Sequence, residues 1–346
     1  TERTRRIATG VFHGTTVGTN ALIERRGART AIVATRGFRD VLALRRQARP
    51  RLYDLSPVVS EPLADRDMRI EADERILFDG SVEQPLSDEE IERIVAVLRD
   101  KQVEAIAISL LHSYANDTHE RALADAIARA LPQAYVSASS DVCREFREFE
   151  RTSTTTVNAY IGPVVARYIE DLACELAKRN VPELAITKSN GGLTSPVNAQ
   201  RYPVHLIESG PAAGVIATAA LGRSGGYSKL IAFDMGGTTA KVGVVVDGEP
   251  RLSTEFYADR FVDGRDVGGY PILSPVIDII EIGAGGGSIA HIDRAGIMKV
   301  GPESAGAVPG PAVYGKGGQL PTVTDAHVVL GHIDAEGFGN EDVALV

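Results

Sequence analysis

Apolar and polar positions along the chain switch repeatedly between a strand-like and a helix-like period. Residues 30–34 (TAIVA) are an unbroken apolar run, which predicts a buried strand. Across 87–99, Ile91, Ile94, Val95 and Leu98 share one helical face, and Asp88, Glu89 and Glu90 occupy the first turn, where negative charge suits the helix dipole. A strand-like stretch follows at 105–111, then a helical pattern over 117–131 that stops at Pro132, then another strand-like run at 134–138. This succession predicts βαβ units, with parallel strands covered by helices.

Residues 148–179 carry Val157, Ile161, Val164, Val165, Tyr168, Ile169, Leu172 and Leu176 at helical spacing, which predicts one long helix or two joined at Gly162-Pro163. The stripe reads as core packing. Shorter β-like runs lie at 6–13 and 183–187. From Lys229 the character changes: 229–234 and 240–246 are β-rich runs on either side of a glycine turn, and 276–282 and 288–292 are strand-like. Glycine becomes dense after Gly264, with 283–287 and 315–318 marking tight turns or loops. A boundary is expected near 190–228, dividing an N-terminal α/β lobe (1–200) from a second lobe (201–346).

Composition narrows the function classes. Of 346 residues, 44% are hydrophobic and 24% charged, as in ordinary globular chains. The net charge, 37 − 46 = −9, opposes non-specific binding to nucleic acid or anionic membranes. No run approaches the roughly 18 apolar residues of a membrane span, and the polar, basic start at 1–6 has no signal-peptide core behind it. The absence of an initiator Met before the first strand-like run reads as a missing N-terminal segment. Cys143 and Cys174 sit in no CxxC or Cys/His array, so two buried apolar cysteines in a reducing cytoplasm are expected. His291, His327 and His332 lack metal-ligand spacing, and no GxSxG nucleophile signature occurs.

The chemistry concentrates at 230–242. An apolar strand delivers Asp234 at its end, Gly236 and Gly237 turn the chain with little bulk, Thr238 and Thr239 supply hydroxyls, and a second strand leaves with Lys241. Such a turn lets backbone N–H groups approach phosphate oxygens closely, and the carboxylate suits Mg²⁺, a hard cation that prefers oxygen. A plain hairpin would not need this combination. Lys241 either offsets phosphate charge or points away along its strand. The absence of GxxxxGK[ST], and a motif leading into a strand rather than a helix, exclude a Walker loop and a Rossmann turn.

This strand–DxGGT–strand unit resembles the phosphate hairpin of the ATPase superfamily shared by actin, sugar kinases and heat-shock chaperones. In order along the chain, HGTTVGTNA (13–21), SNGG (189–192), SGPAAG (209–214), DMGGTTAK (234–241), GAGGGS (283–288), VGPESAG (300–306), PGP (309–311) and TVTDA (322–326) match the pattern of the hydantoinase A/oxoprolinase family. The resemblance spans residues 11–334. It implies an α/β ATPase fold of the actin/sugar-kinase/chaperone type that uses ATP and Mg²⁺. Members activate cyclic amides such as hydantoins and 5-oxoproline, or ketones for carboxylation, with a B-type subunit or fused domain as partner, and an oligomeric cytoplasmic enzyme is expected. The family's first aspartate-glycine-glycine-threonine hairpin, upstream of the 13–21 motif, is absent, and family subunits continue well past the 322–326 motif. The fold is therefore read as incomplete, and the chain as one that does not act on ATP alone.

Individual candidates follow. Asp234 is assigned to Mg²⁺ or catalytic-water organisation, and Gly236, Gly237, Thr238, Thr239 and Lys241 to phosphate. Gly285, Gly286, Gly287 and Ser288 either approach nucleotide or form a structural crossover. Ser209 and Pro211 are expected to open a helix, with Ser209 as N-cap. His13, Thr15, Thr16 and Asn20 form a polar cluster assigned to a substrate- or lobe-facing loop. Asp325 either caps a helix or holds a cation. Two rivals stay open: a phosphotransferase of the sugar-kinase type and a non-catalytic nucleotide-binding module.

Overall fold

The computed structural model describes residues 10–48, 53–56, 58–181, 183–262 and 265–334. Of the strand-like run at 6–13, only Gly10–His13 lies within them. The chain forms two compact units, Thr1–Ala213 with Leu252–Val276, and Gly214–Arg251 with Ile277–Val346. The return of 252–276 to the first unit is not announced by the sequence pattern.

The first unit contains a four-stranded sheet in the order Arg69–Ala72, Thr30–Thr35, Ala105–Ser109, Tyr135–Ala138, all parallel. All six residues of Thr30–Thr35 are buried, which explains its unbroken apolar run: a strand covered on both faces has no solvent side to mark with polar residues. Helices Asp88–Asp100 and Thr118–Ala130 supply Ile94, Val95, Leu98, Leu123 and Ile127 to one core with Ile32, Val33, Ile106 and Ile108. Each such side chain contributes about 1.5–3 kcal/mol of apolar burial. Ser87 caps the first of these helices, its hydroxyl accepting from the Glu90 N–H at 3.3 Å. A second, smaller sheet pairs Gly10–His13 parallel to Glu183–Thr187, which is antiparallel to Leu193–Thr194.

Glu148–Lys178 is one continuous helix with Pro163 inside it. Of the expected stripe, Val157, Ile161, Val165 and Ile169 are wholly buried. The surprise is its first half, where residues 150–156 and Asn158 are polar and buried. The threonines close their hydroxyls on their own helix, Thr154 to the Glu150 carbonyl and Thr155 to that of Arg151 (2.7 and 2.8 Å). The Arg151 guanidinium donates to the Ser113 and Ser139 hydroxyls and, at 2.9 Å, to the Leu110 carbonyl. Buried Glu120 accepts from the Leu110 and Ser140 N–H groups and from the Ser139 hydroxyl. Burial without such partners would be prohibitive.

In the second unit, Lys229–Met235 pairs antiparallel with Ala240–Val246, which also pairs with Glu249–Pro250 and Ile279–Ile282. The run expected as one strand over 276–282 is two, Val276–Ile277 and Ile279–Ile282. At the break between them, the Asp278 N–H donates to the Arg251 carbonyl at 2.9 Å. Val215, on the helix Ser209–Gly225, packs so closely that a Cβ on Gly243 would lie 2.4 Å from its Cγ2. Cys143 is buried as expected, with burial pushing its thiol pKa up to about 11. Cys174 is not: it is exposed on the outer side of the long helix.

Candidate functional site: a glycine-stacked turn

The antiparallel register sets Asp234 directly opposite Lys241, and Lys241 opposite Glu281. Directly paired residues share a sheet face, so the three form one charged row beside the turn at 236–239. The Lys241 side chain is 14% exposed, with Nζ 3.9 Å from a Glu281 oxygen. It therefore lies on the Asp234 face rather than away from it. Sequence reasoning passed over Glu281, although a lone charge in an apolar strand two residues before a glycine run is a readable signal.

The turn is exposed at Asp234, Gly236, Gly237 and Thr238. Its Gly236 N–H closes on the Thr239 carbonyl at 2.9 Å. Behind it stands the 283–287 loop. The Gly286 N–H donates to the Gly236 carbonyl (2.8 Å) and the Gly287 N–H to the Gly237 carbonyl (2.7 Å). No side chain fits between them. A Cβ on Gly285 would lie 2.6 Å from the backbone of Thr238 and Thr239, one on Gly286 2.7 Å from the Thr324 hydroxyl, and one on Gly287 2.8 Å from that of Ser304. Ser288 braces the loop from within, its hydroxyl accepting from the Gly285 N–H at 2.8 Å.

The helix Val323–Val329 anchors this stack. The N–H and hydroxyl of Thr324 both donate to the Gly286 carbonyl at 2.8 Å. Thr322 and Asp325 form a capping box, and the other Asp325 oxygen accepts from the Val313 N–H at 2.8 Å. Both oxygens of Asp325 are thus engaged, one in the cap and one on the Val313 N–H. Burial alone would raise its pKa, but these donors hold it below the ordinary carboxylate value.

The turn leaves two of its amides without a protein partner. Its carbonyls at 236 and 237 are taken up by the loop behind, and among the described residues the N–H groups of Gly237 and Thr238 donate to no protein acceptor. Exposed N–H groups in a tight turn suit a phosphate. Asp234 is the carboxylate at this turn that could hold a hard cation; among the described residues no cluster of three or more His, Cys, Asp or Glu suited to a metal occurs.

The cluster at 13–20 belongs to the first unit, and the turn to the second. His13 ends its strand half-buried, its Nε2 2.7 Å from the Tyr168 hydroxyl, and burial holds its pKa below 6.5. The buried Thr15 N–H donates to the Ser209 hydroxyl at 3.0 Å, and that hydroxyl donates to the Thr15 carbonyl at 3.1 Å. Ser209 is thus the first helical residue and spends its hydroxyl on Thr15, not on the N-cap role expected of it. Thr16 precedes the helix Val17–Ile23, and both Thr16 and Asn20 are exposed. A Cβ on Gly14 would lie 3.1 Å from Gly210 Cα. The motifs at 13–21 and 209–214, far apart in sequence, therefore meet backbone to backbone.

These elements make a mixed α/β chain whose 236–239 turn is locked on a glycine loop. The model of the hydantoinase/oxoprolinase family matches residues 151–345, and that of its N-terminal region matches 1–131; the chain belongs to this family. It is 38% identical to the caprolactamase subunit alpha of Pseudomonas jessenii, covering 93% of this chain and 45% of that one. It is 34% identical to the 5-oxoprolinase of Saccharomyces cerevisiae, covering 96% and 27%. The mixed α/β fold matches the crystal structure of the ATP-dependent caprolactamase (36% identity, TM-score 0.76, 99% of this chain and 49% of that one). It also matches nucleotide-free acetone carboxylase (25%, TM-score 0.76, 97% and 48%). The chain thus spans about half, or less, of the relatives it matches. Among the described residues no helix is long and apolar enough to cross a membrane.

Proposed function

We propose that this chain carries the nucleotide-handling part of an ATP-dependent enzyme that opens a cyclic amide of the hydantoin or 5-oxoproline type. The observation that carries the reading is the turn at 234–239, whose Gly237 and Thr238 N–H groups have no protein acceptor among the described residues and whose Gly236 and Gly237 carbonyls are bound to a loop with no room for a Cβ at Gly285, Gly286 or Gly287. When bound, Mg-ATP would supply a phosphoryl group to the amide oxygen, making the carbonyl carbon electrophilic enough for water to add; the ring C–N bond then breaks with nitrogen as the leaving group, and the phosphoryl group is released as phosphate by hydrolysis. The protein's part is to hold and orient: Gly236, Gly237, Thr238 and Thr239 hold phosphate oxygens, Lys241 offsets their charge, and Asp234 holds the cation. Gly285, Gly286, Gly287 and Ser288 keep the turn in place. His13, Thr15, Thr16 and Asn20 are assigned to the substrate side. Preorganised donors of this kind stabilise charge developing on a transferring phosphoryl group.

The fold is proposed to be of the actin/sugar-kinase/chaperone ATPase type, with lobes at 1–200 and 201–346. Its other phosphate hairpin and a B-type subunit or fused domain come from polypeptide outside residues 1–346. A cytoplasmic oligomer is the expected setting. The match to acetone carboxylase favours a second reading, activation of a ketone for carboxylation. ATP hydrolysis by the complete protein with its partner separates the two. Stimulation by hydantoins, 5-oxoproline or caprolactam supports the amide reading, and stimulation by small ketones only with bicarbonate supports the other. No stimulation by any of them, with or without Mg²⁺, sinks both, and stable phosphorylated product in place of hydrolysis favours a kinase. Asp234→Ala with unchanged ATPase activity removes Asp234 from the mechanism.

A further inference from the structure

The motif at 189–192 has no part in the proposed function, yet the strand register sets it beside the 13–20 cluster. Gly10–His13 runs parallel to Glu183–Thr187, with His13 opposite Ile186. Both strands therefore end at one edge of the sheet, the first running into Gly14, Thr15 and Thr16, the second into Lys188, Ser189 and Asn190. Ligands of α/β sheets bind beyond the carboxyl ends of the strands. The second ending is tied down. The buried Ser189 hydroxyl lies 2.7 Å from the His205 carbonyl and 2.5 Å from that of Ile207. The Lys188 N–H donates to the Gly192 carbonyl at 2.7 Å, which closes the turn.

What this turn leaves over are donors. Asn190 spends its side-chain oxygen on the Gly192 N–H at 3.0 Å, and among the described residues its amide NH₂ has no protein acceptor. Lys188 is half-buried, and among the described residues its ammonium makes no ion pair and no hydrogen bond. Its side chain folds over the turn. A Cβ on Gly192 would lie 3.2 Å from Lys188 Cε, 3.7 Å from its Nζ and 3.1 Å from Asn190 Oδ1. Ammonium and amide thus flank one spot. In a chain with 46 acidic and 37 basic residues, a partly desolvated lysine without a carboxylate is a cost left unrelieved. Burial, and then the Lys188 charge, hold the His205 pKa below 6.5, so this neighbour stays neutral, its Nδ1 2.8 Å from the Ser274 hydroxyl. Donors gathered around a cation, with no acceptor among them to spare, suit an anion. Given the amide-opening reaction proposed for this protein, we infer that Lys188 and Asn190 hold a carboxylate carried by the substrate. Lys188 then selects an acidic lactam of the 5-oxoproline kind over a neutral one. One ammonium and one amide match the two oxygens of a carboxylate, whereas the backbone amides suited to phosphate belong to the second unit.

Two lactams that differ only in that group test it, 5-oxoproline and pyrrolidinone, as stimulants of ATP hydrolysis by the complete protein with its partner. Lys188→Met is expected to raise the KM for 5-oxoproline about tenfold or more, the worth of a charged hydrogen bond. It leaves kcat nearly unchanged and the KM for pyrrolidinone where it was, because the contact is made equally in ground and transition states. Lys188→Arg, which keeps the charge, recovers most of the loss. Equal effects on both lactams overturn it, since Lys188 would then be structural. A raised KM for ATP with both lactams unaffected also overturns it, by placing phosphate at Lys188. Equilibrium dialysis of labelled 5-oxoproline against the same complex, without ATP, keeps this site apart from the reaction. Binding that Lys188→Met weakens, with no stimulated ATPase, removes the amide-opening reaction and keeps the carboxylate site. Stimulated ATPase with the same KM in wild type and Lys188→Met keeps the reaction and removes the site. No binding of 5-oxoproline, or binding indifferent to Lys188→Met, overturns it as well.

Discussion

At the scale of single residues, contacts that leave no room carry the most information. Gly285 sits where a methyl group would meet three backbone atoms rather than a flexible side chain, so the strain has nowhere to go. Gly285→Ala is expected to cost about 1–3 kcal/mol and to weaken nucleotide binding more than the stability loss explains. Thermal unfolding with and without ATP separates the two effects. Arg151 is the opposite case, a buried charge whose two terminal nitrogens donate to hydroxyl and carbonyl acceptors while its Nε has no partner. Replacing it with Met strands the Leu110 carbonyl and loosens the serines that serve Glu120. About 3–5 kcal/mol of destabilisation in urea titrations is expected. Neither effect is visible in sequence. The glycine reads as a loop signal until its neighbour across the turn is known. A run such as ERTSTTT carries no apolar signal of burial: its threonine hydroxyls at 154–156 bond back to their own helix, and only tertiary packing shows that the segment is buried.

At the scale of elements, local signals were legible and pairings were not. Helices at 87–99 and 117–131 and strands at 30–34, 183–187 and 240–246 appear where periodicity put them. Their cause is the spacing of apolar side chains along one stretch of chain. The turn motif was readable for the same reason, since its six residues are contiguous. The row Asp234–Lys241–Glu281 depends on the register of three strands, so Glu281 could be noticed as a charge in an apolar strand, but its place beside Lys241 came only with that register. The capping box of Val323–Val329 offers a pH test. The donors around Asp325 depress its pKa in the folded state, so its stabilisation is fully present above the unfolded value of about 3.9. It is lost as pH falls through the lower folded value. Asp325→Asn should therefore melt below wild type at neutral pH, by about 1 kcal/mol. The gap should close in acid, below about pH 4. A gap that persists unchanged at pH 3 would point to packing rather than charge.

At the scale of the whole molecule, the two cysteines report on different events. Cys174 is exposed, whereas Cys143 is buried with its thiol pushed up to about 11, far from the thiolate form that reacts. One maleimide adduct is expected on the native chain and a second only after unfolding, with the second rate tracking loss of the first unit's core. The order in which residues enter each unit has a consequence for synthesis. The turn at 234–239 leaves the ribosome well before the loop at 283–287 that braces it, and between them 252–276 must go back to the first unit. Closure of this long-range contact is paid in loop entropy and time. Until the loop arrives, the hairpin at 229–246 is a nascent strand pair with an open apolar edge, the kind of species that chaperones hold. The site is thus completed late in the chain's own emergence, and mutations in 252–276 should show first as poor yield rather than as altered affinity.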